Sequence, residues 1–111
     1  MKQIQARQDE TLKLIKEIIL NTAKKYGIEI DRIILFGSRA RGDYKEDSDW
    51  DILIVTEEKL DTRRKITFWY EIYRRIDLPV DIIIVSENTL KKFGKDTGFI
   101  YKYALEEGIT I

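Results

Sequence analysis

Hydrophobic positions along the chain follow two different periods. Leu12, Ile15, Ile19, Ala23 and Tyr26 recur every three or four residues, which predicts a helix from about Asp9 to Tyr26 with Gly27 where a C-terminal cap belongs. Residues 1–7 ahead of it are polar and are expected to fray. Ile33-Ile34-Leu35-Phe36 is a short apolar run ending at Gly37, the pattern of a buried strand. A polar loop follows from Ser38 to Ser48, with Gly42-Asp43 as its turn signal. Asp49 to Val55 reads as the next strand, since Ile52-Leu53-Ile54-Val55 is β-branched-rich and apolar on both faces. Helical spacing returns from Thr62 to Ile76, and Pro79 blocks continuation. Val80 to Val85 is a third strand and Leu90 to Phe93 a short helical turn. Gly98 to Glu107 is a last helix closed by Gly108, and Ile109-Thr110-Ile111 is a small edge strand.

This succession predicts an α+β (α/β-like) architecture, a small mixed sheet flanked by helices. The 111 residues suit a single compact domain, 1–111. Hydrophobic residues at 43% and charged residues at 36% belong to a globular chain and not a disordered one. No apolar run is long enough to cross a bilayer, and the opening Met1-Lys2-Gln3 leads into no signal-like stretch, so the expected location is the cytoplasm.

The chain has no Cys and no His. That excludes disulfides, thiolate nucleophiles, Cys-based zinc sites and a Ser-His-Asp triad. Catalysis must run on carboxylates, hydroxyls, Lys, Arg and hard metal ions. Twenty basic and twenty acidic residues give a formal net charge of zero, so there is no global pull toward nucleic acid, and none is expected as a partner.

Asp49 and Asp51 stand two apart at the head of a strand, where period-two geometry puts both on one face and turns Trp50 into the packing. Two such acids repel each other, and a cation between them relieves the repulsion. Carboxylates are hard oxygen ligands, suited to magnesium or manganese. Asp81 is followed by Ile82-Ile83-Ile84-Val85 much as Asp51 is followed by Ile52-Leu53-Ile54-Val55. If the two strands are neighbours, three carboxylates converge at one sheet edge, as a two-metal phosphoryl-transfer site needs, with metals about 3.5–4 Å apart. The loop Gly37-Ser38-Arg39-Ala40-Arg41-Gly42 supplies the anion side. Gly37 lets backbone approach a phosphate, Ser38 offers a hydroxyl and an N–H, and Arg39 and Arg41 offer planar forks. Each feature alone is ordinary turn or strand-end chemistry; the combination carries the reading.

Phe36-Gly37-Ser38, ten intervening residues, and Asp49-Trp50-Asp51 resemble the signature of the DNA polymerase β-like nucleotidyltransferase superfamily. FGSRARGDYKEDSDWDILIV resembles its smallest branch, the minimal nucleotidyltransferases known as MNT or MntA-like antitoxins, and the ending Tyr103 to Ile109 looks like the close of that branch. The resemblance implies a polymerase β palm-like fold. It implies that Gly37 and Ser38 hold the triphosphate, that Asp49 and Asp51 bind both catalytic metals, and that Asp81 completes the metal set and helps activate the incoming hydroxyl. Arg39 and Arg41 lie within the motif as further nucleotide-binding candidates, and Trp50 fills a hydrophobic, structural position. The implied reaction moves a nucleotidyl group, AMP from ATP, to a hydroxyl, with a tyrosine of a partner HEPN-type toxin as the implied acceptor. Larger members carry a further domain that grips the acceptor; this chain has no room for one, so the grip must come from a partner or a small surface.

Two other readings stay open. One is a non-catalytic antitoxin that acts by occlusion: Phe68, Trp69, Tyr70 and Tyr73 cannot all face one side of their helix, so some are expected to be exposed and to serve an interface. The other is a small-molecule enzyme of the aminoglycoside type. Oligomeric state is left open too.

Overall fold

The structure is a computed structural model that describes residues 2–93 and 99–111, with side chains described for all of these except 2–6, 93 and 99. The expected start of the last helix at Gly98 lies outside the described residues.

Four strands form one mixed sheet: β1 (Ile30–Phe36), β2 (Trp50–Thr56), β3 (Val80–Ser86) and β4 (Ile109–Thr110). Their order is β3-β2-β1-β4. β1 runs antiparallel to β2 and to β4, and β2 runs parallel to β3. Five helices accompany them: α1 (Lys2–Lys25), α2 (Ser38–Arg41), α3 (Thr62–Arg75), α4 (Glu87–Phe93) and α5 (Phe99–Glu107). The α+β architecture with a small mixed sheet is therefore the one the sequence predicts.

Strand alternation divides the core in two. Ile33, Leu35, Trp50, Ile52, Ile54, Val80, Ile82 and Ile84 face α1 and α3, whose Ile15, Ile19, Ala23, Phe68, Ile72 and Ile76 complete that layer. Ile34, Phe36, Leu53, Val55 and Val85 face the other way and meet Leu90 of α4 and Ala104 of α5. A central strand buried on both sides needs continuous apolar residues, which is why β2 reads as an unbroken run.

Four elements differ from expectation. β1 opens at Ile30, three residues before the apolar run. α1 begins at Lys2, not near Asp9. Residues 2–8 hold neither Gly nor Pro and propagate a helix readily, and Gln8 donates from its side-chain amide to the Arg39 carbonyl at 3.0 Å. The loop after β1 opens with the helical turn α2, closed by Gly42 at φ +94° with its N–H on the Ser38 carbonyl. α4 starts at Glu87 because Ser86 caps it, its hydroxyl accepting the Thr89 N–H at 3.2 Å.

α3 starts with Asp61 accepting the Arg64 N–H. Its one acid, Glu71, is buried between helices. It accepts from Lys25 at 3.0 Å, Arg75 at 2.6 Å and the Tyr26 hydroxyl. From the same helix, Tyr73 and Trp69 donate to the carbonyls of Val80 (2.6 Å) and Ile82 (3.1 Å) on the edge strand β3. Among the described residues, no helix is long and apolar enough to cross a membrane.

Candidate active site

The predicted acids stand at one end of the sheet. β2 and β3 pair in register, Trp50 with Val80 and Asp51 with Asp81, so the second residue of each strand is an aspartate on the same face. That is the face of Leu53 and Val55, whereas Trp50 is buried on the opposite one. Asp49 stands one residue before β2 and is exposed. Burial, then the charges of Asp81 and Asp49, push the Asp51 carboxyl above its ordinary pKa, and Arg41 partly offsets this. Burial also raises the Tyr73 phenol, with the charges of Asp81 and Asp49 adding to it. The Asp51 carboxyl thus feels both other acids across the strand heads. Among the described residues, no three acids are drawn together closely enough to grip one ion. Like charges facing each other keep apart, and a divalent cation would have to draw them in by side-chain rotation. The donor set suits such an ion: oxygen only, and anionic.

Gly37 lies beside this group. Its φ of +75° and ψ of −158° belong to a region only glycine occupies at ease. A Cβ there would stand 2.1 Å from Oδ2 of Asp51. The bare backbone of Gly37 is what leaves the Asp51 carboxylate its place. The Gly37 carbonyl then accepts the N–H groups of Ala40 and Arg41 at 3.0 Å each, which curls Ser38 to Arg41 into α2 next to the acids.

The two arginines of the loop part company. Arg41 belongs to the acidic end: its charge is felt at Asp51, and its guanidinium is shared among Asp43 (3.3 Å), Glu107 (3.3 Å) and the Tyr103 hydroxyl. Arg39 goes elsewhere. Its side chain, 8% exposed, donates to the carbonyls of Ser48 (2.9 Å) and Glu46 (3.1 Å) and lies between the rings of Trp50 (4.2 Å) and Tyr44 (4.7 Å). Trp50 faces away from Asp51, so the structure sets Arg39 on the far side of the strand as a brace of the loop. The structure thus does not bring Arg39, expected as a phosphate ligand, to the acids with Arg41. A planar guanidinium suits carbonyls and stacked rings as well as it suits phosphate, and sequence cannot tell the two uses apart.

Residues the sequence reading did not assign to the site also stand here. Tyr103 and Glu107 of α5 hold Arg41, and the Tyr73 hydroxyl of α3 donates to the Val80 carbonyl at the head of β3. The only signal for the first two was the likeness of the chain's ending to the minimal branch.

A family model described as "Polymerase beta, Nucleotidyltransferase" matches residues 15–98. A relative from Methanocaldococcus jannaschii, named "Putative protein adenylyltransferase", is 38% identical over 96 residues, covering 86% of this chain and 92% of its own length. Among solved structures, a Sulfolobus solfataricus protein described as a "putative nucleotidyltransferase" aligns with a TM-score of 0.60 at 28% identity, over 93% of this chain and 80% of the other. A chain from the complex of the tri-AMPylated Shewanella oneidensis HEPN toxin with MNT antitoxin aligns with a TM-score of 0.57 over 93% of this chain and 70% of its own length; at 16% identity that likeness speaks for the fold alone.

Proposed function

The chain belongs to the polymerase β nucleotidyltransferase family, and from that premise we propose that it is a magnesium-dependent adenylyltransferase whose acceptor is a protein hydroxyl, a tyrosine of a HEPN-family partner. The observation that carries the reading is the in-register pair Asp51 and Asp81, with Asp49 beside them and Gly37 packed against the Asp51 carboxylate. Relatives named for protein adenylylation support the transferred group and a protein acceptor; the HEPN partner class is the one implied by the resemblance of FGSRARGDYKEDSDWDILIV to MNT antitoxins.

Asp49, Asp51 and Asp81 would hold the magnesium, whose chemistry is to neutralise phosphate charge and lower the barrier at phosphorus. The chain's own residues do the rest. The bare Gly37 backbone and the Ser38 hydroxyl receive the triphosphate, and Arg41 adds a positive charge on the same side. Asp81, exposed at the edge of the group, accepts the proton of the acceptor hydroxyl. The hydroxyl oxygen bonds to the α-phosphorus, the bond from that phosphorus to the bridging oxygen breaks, and pyrophosphate leaves.

The test is the intact mass of the partner after incubation with ATP and magnesium. The native chain should add one AMP moiety per transfer, and the Asp49→Asn/Asp51→Asn variant none, although it still folds and binds. A partner inhibited equally by both proteins and never modified would replace this reading with occlusion.

A further inference from the structure

We propose that the outer face of α3 is the docking surface for the protein that brings the acceptor hydroxyl, and that this partner presents an apolar patch rimmed by acidic side chains. The inference rests on the transfer reading above. Ile66, Trp69, Tyr70 and Tyr73 follow the i, i+3, i+4, i+7 spacing of one helix face. Ile66 is 59% exposed, Tyr70 60% and Trp69 39%. The opposite face packs Phe68, Ile72 and Ile76 into the core, and Trp69 and Tyr73 lean on the edge strand through their hydrogen bonds to Ile82 and Val80, which leaves Ile66 and Tyr70 as the part of the stripe the monomer does not use. Trp and Tyr are side chains that interfaces use as anchors.

The stripe leads to the acids. The Tyr73 hydroxyl rests on the Val80 carbonyl, one residue from Asp81, and its phenol feels both Asp81 and Asp49. Leu78, 39% exposed, extends the apolar surface around the turn into β3. A protein lying along Ile66, Tyr70 and Tyr73 therefore ends at the head of the edge strand β3, and reaches around that edge to present its hydroxyl to Asp81 on the other face of the sheet.

Charge indicates what kind of protein fits. Arg63 and Arg74 stand three residues before Ile66 and four after Tyr70, on one flank of the stripe, and among the described residues neither is paired with a carboxylate. The one acid of α3, Glu71, is buried on the inner side and occupied by Lys25 and Arg75. The outer face is thus apolar with a cationic rim, which calls for acids opposite. A second copy of this chain docked about a two-fold axis would set the same cations near each other and is disfavoured.

The experiment uses a purified HEPN-family protein as the probe. Two variants are compared with the native protein: Ile66→Asp/Tyr70→Asp at the stripe and Arg63→Glu/Arg74→Glu at the rim. Both sets lie at exposed positions, and circular dichroism checks their folding. Titration calorimetry measures the complex and the binding of magnesium-ATP, and intact mass measures transfer. Each variant should weaken the complex by roughly 10- to 100-fold and raise KM for the partner by a similar factor. The kcat at saturating partner and the affinity for magnesium-ATP should stay near native. Unchanged KM with transfer intact in both variants would overturn the docking surface and leave the transfer reading standing. Binding lost in the variants while the native protein never modifies the partner would keep the surface and sink the transfer reading. A native homodimer that the stripe variant converts to monomer, with partner affinity unchanged, would give the face to a second copy and overturn the proposal. A native chain that neither binds nor modifies the partner overturns both.

Discussion

Replacing Gly37 by alanine tests the arrangement at its tightest point. Two costs add. The backbone at φ +75° and ψ −158° is foreign to a residue with a Cβ, worth about 1–3 kcal/mol. The new methyl would also lie 2.1 Å from Oδ2, 3.1 Å from Cγ and 3.4 Å from Cβ of Asp51. The carboxylate must withdraw by about 1 Å and leave its rotamer, for roughly 0.5–1.5 kcal/mol more. The sum is about 2–4 kcal/mol, or a fall in Tm of roughly 6–20 °C for a domain of this size. Gly42→Ala is the control. It too has positive φ, +94°, but nothing lies within 4 Å of its Cβ, so only strain of about 1–2 kcal/mol applies. Thermal melts by circular dichroism in EDTA measure both variants, and calorimetry measures magnesium-ATP binding. Gly37→Ala should melt well below Gly42→Ala and lose more than about tenfold in nucleotide affinity, because Asp51 has moved. In the double variant Gly37→Ala/Asp51→Ala the contact is gone, and its stability cost should be less than the sum of the singles. Equal melts for Gly37→Ala and Gly42→Ala, or strict additivity, would refute the contact as the reason for this glycine.

The same end of the sheet makes Asp51→Asn stabilising without metal. Burial and then Asp81 and Asp49 raise the Asp51 carboxyl, so folding is favoured below the unfolded pKa and weakens as pH rises through the folded one. At neutral pH in EDTA the Asn variant should melt above the native protein, with the gap closing in acid; a lower melt at neutral pH contradicts this. Glu71 has the opposite sign. The Tyr26 hydroxyl and then Lys25 hold its pKa down, so its contribution is present above the unfolded carboxylate value and is lost as pH falls through the folded one. Glu71→Gln should therefore melt lower than native at neutral pH and converge with it in acid, and a pH-independent gap would rule the linkage out. Arg39→Lys should cost about 1–3 kcal/mol in thermal melts, since one ammonium cannot serve two carbonyls and two rings. It should change magnesium-ATP affinity less than Arg41→Lys does, and the reverse ranking would return Arg39 to the phosphate.

Much of this was legible from the chain. The shared Asp-Ile-x-Ile-Val wording of two strands anticipates their in-register pairing, because both must be buried on two faces and carry an acid at the same end. Trp50 was legible by alternation alone. Long-range polar contacts were not: Gln8 reaches Arg39 across 31 positions, and Tyr103 and Glu107 reach Arg41 from 62 and 66 positions away. Nothing local records such pairings. The divergence of Arg39 and Arg41 depends on the loop's backbone: two residues apart on a helical turn they point to different sides, whereas an extended loop would have turned them to the same one.

Sheet margins are where small proteins polymerise, since a bare row of backbone groups can template another strand. One margin here is only two residues long, Ile109 and Thr110. At the other, Trp69 and Tyr73 occupy the outward carbonyls of Ile82 and Val80. Aromatic donors therefore act as sentries against strand addition, and trimming them to phenylalanine and leucine would leave those carbonyls without their donors. The consequence would be felt during expression and storage before it was felt in any assay, as light scattering and thioflavin-positive fibres from a chain whose core remained intact.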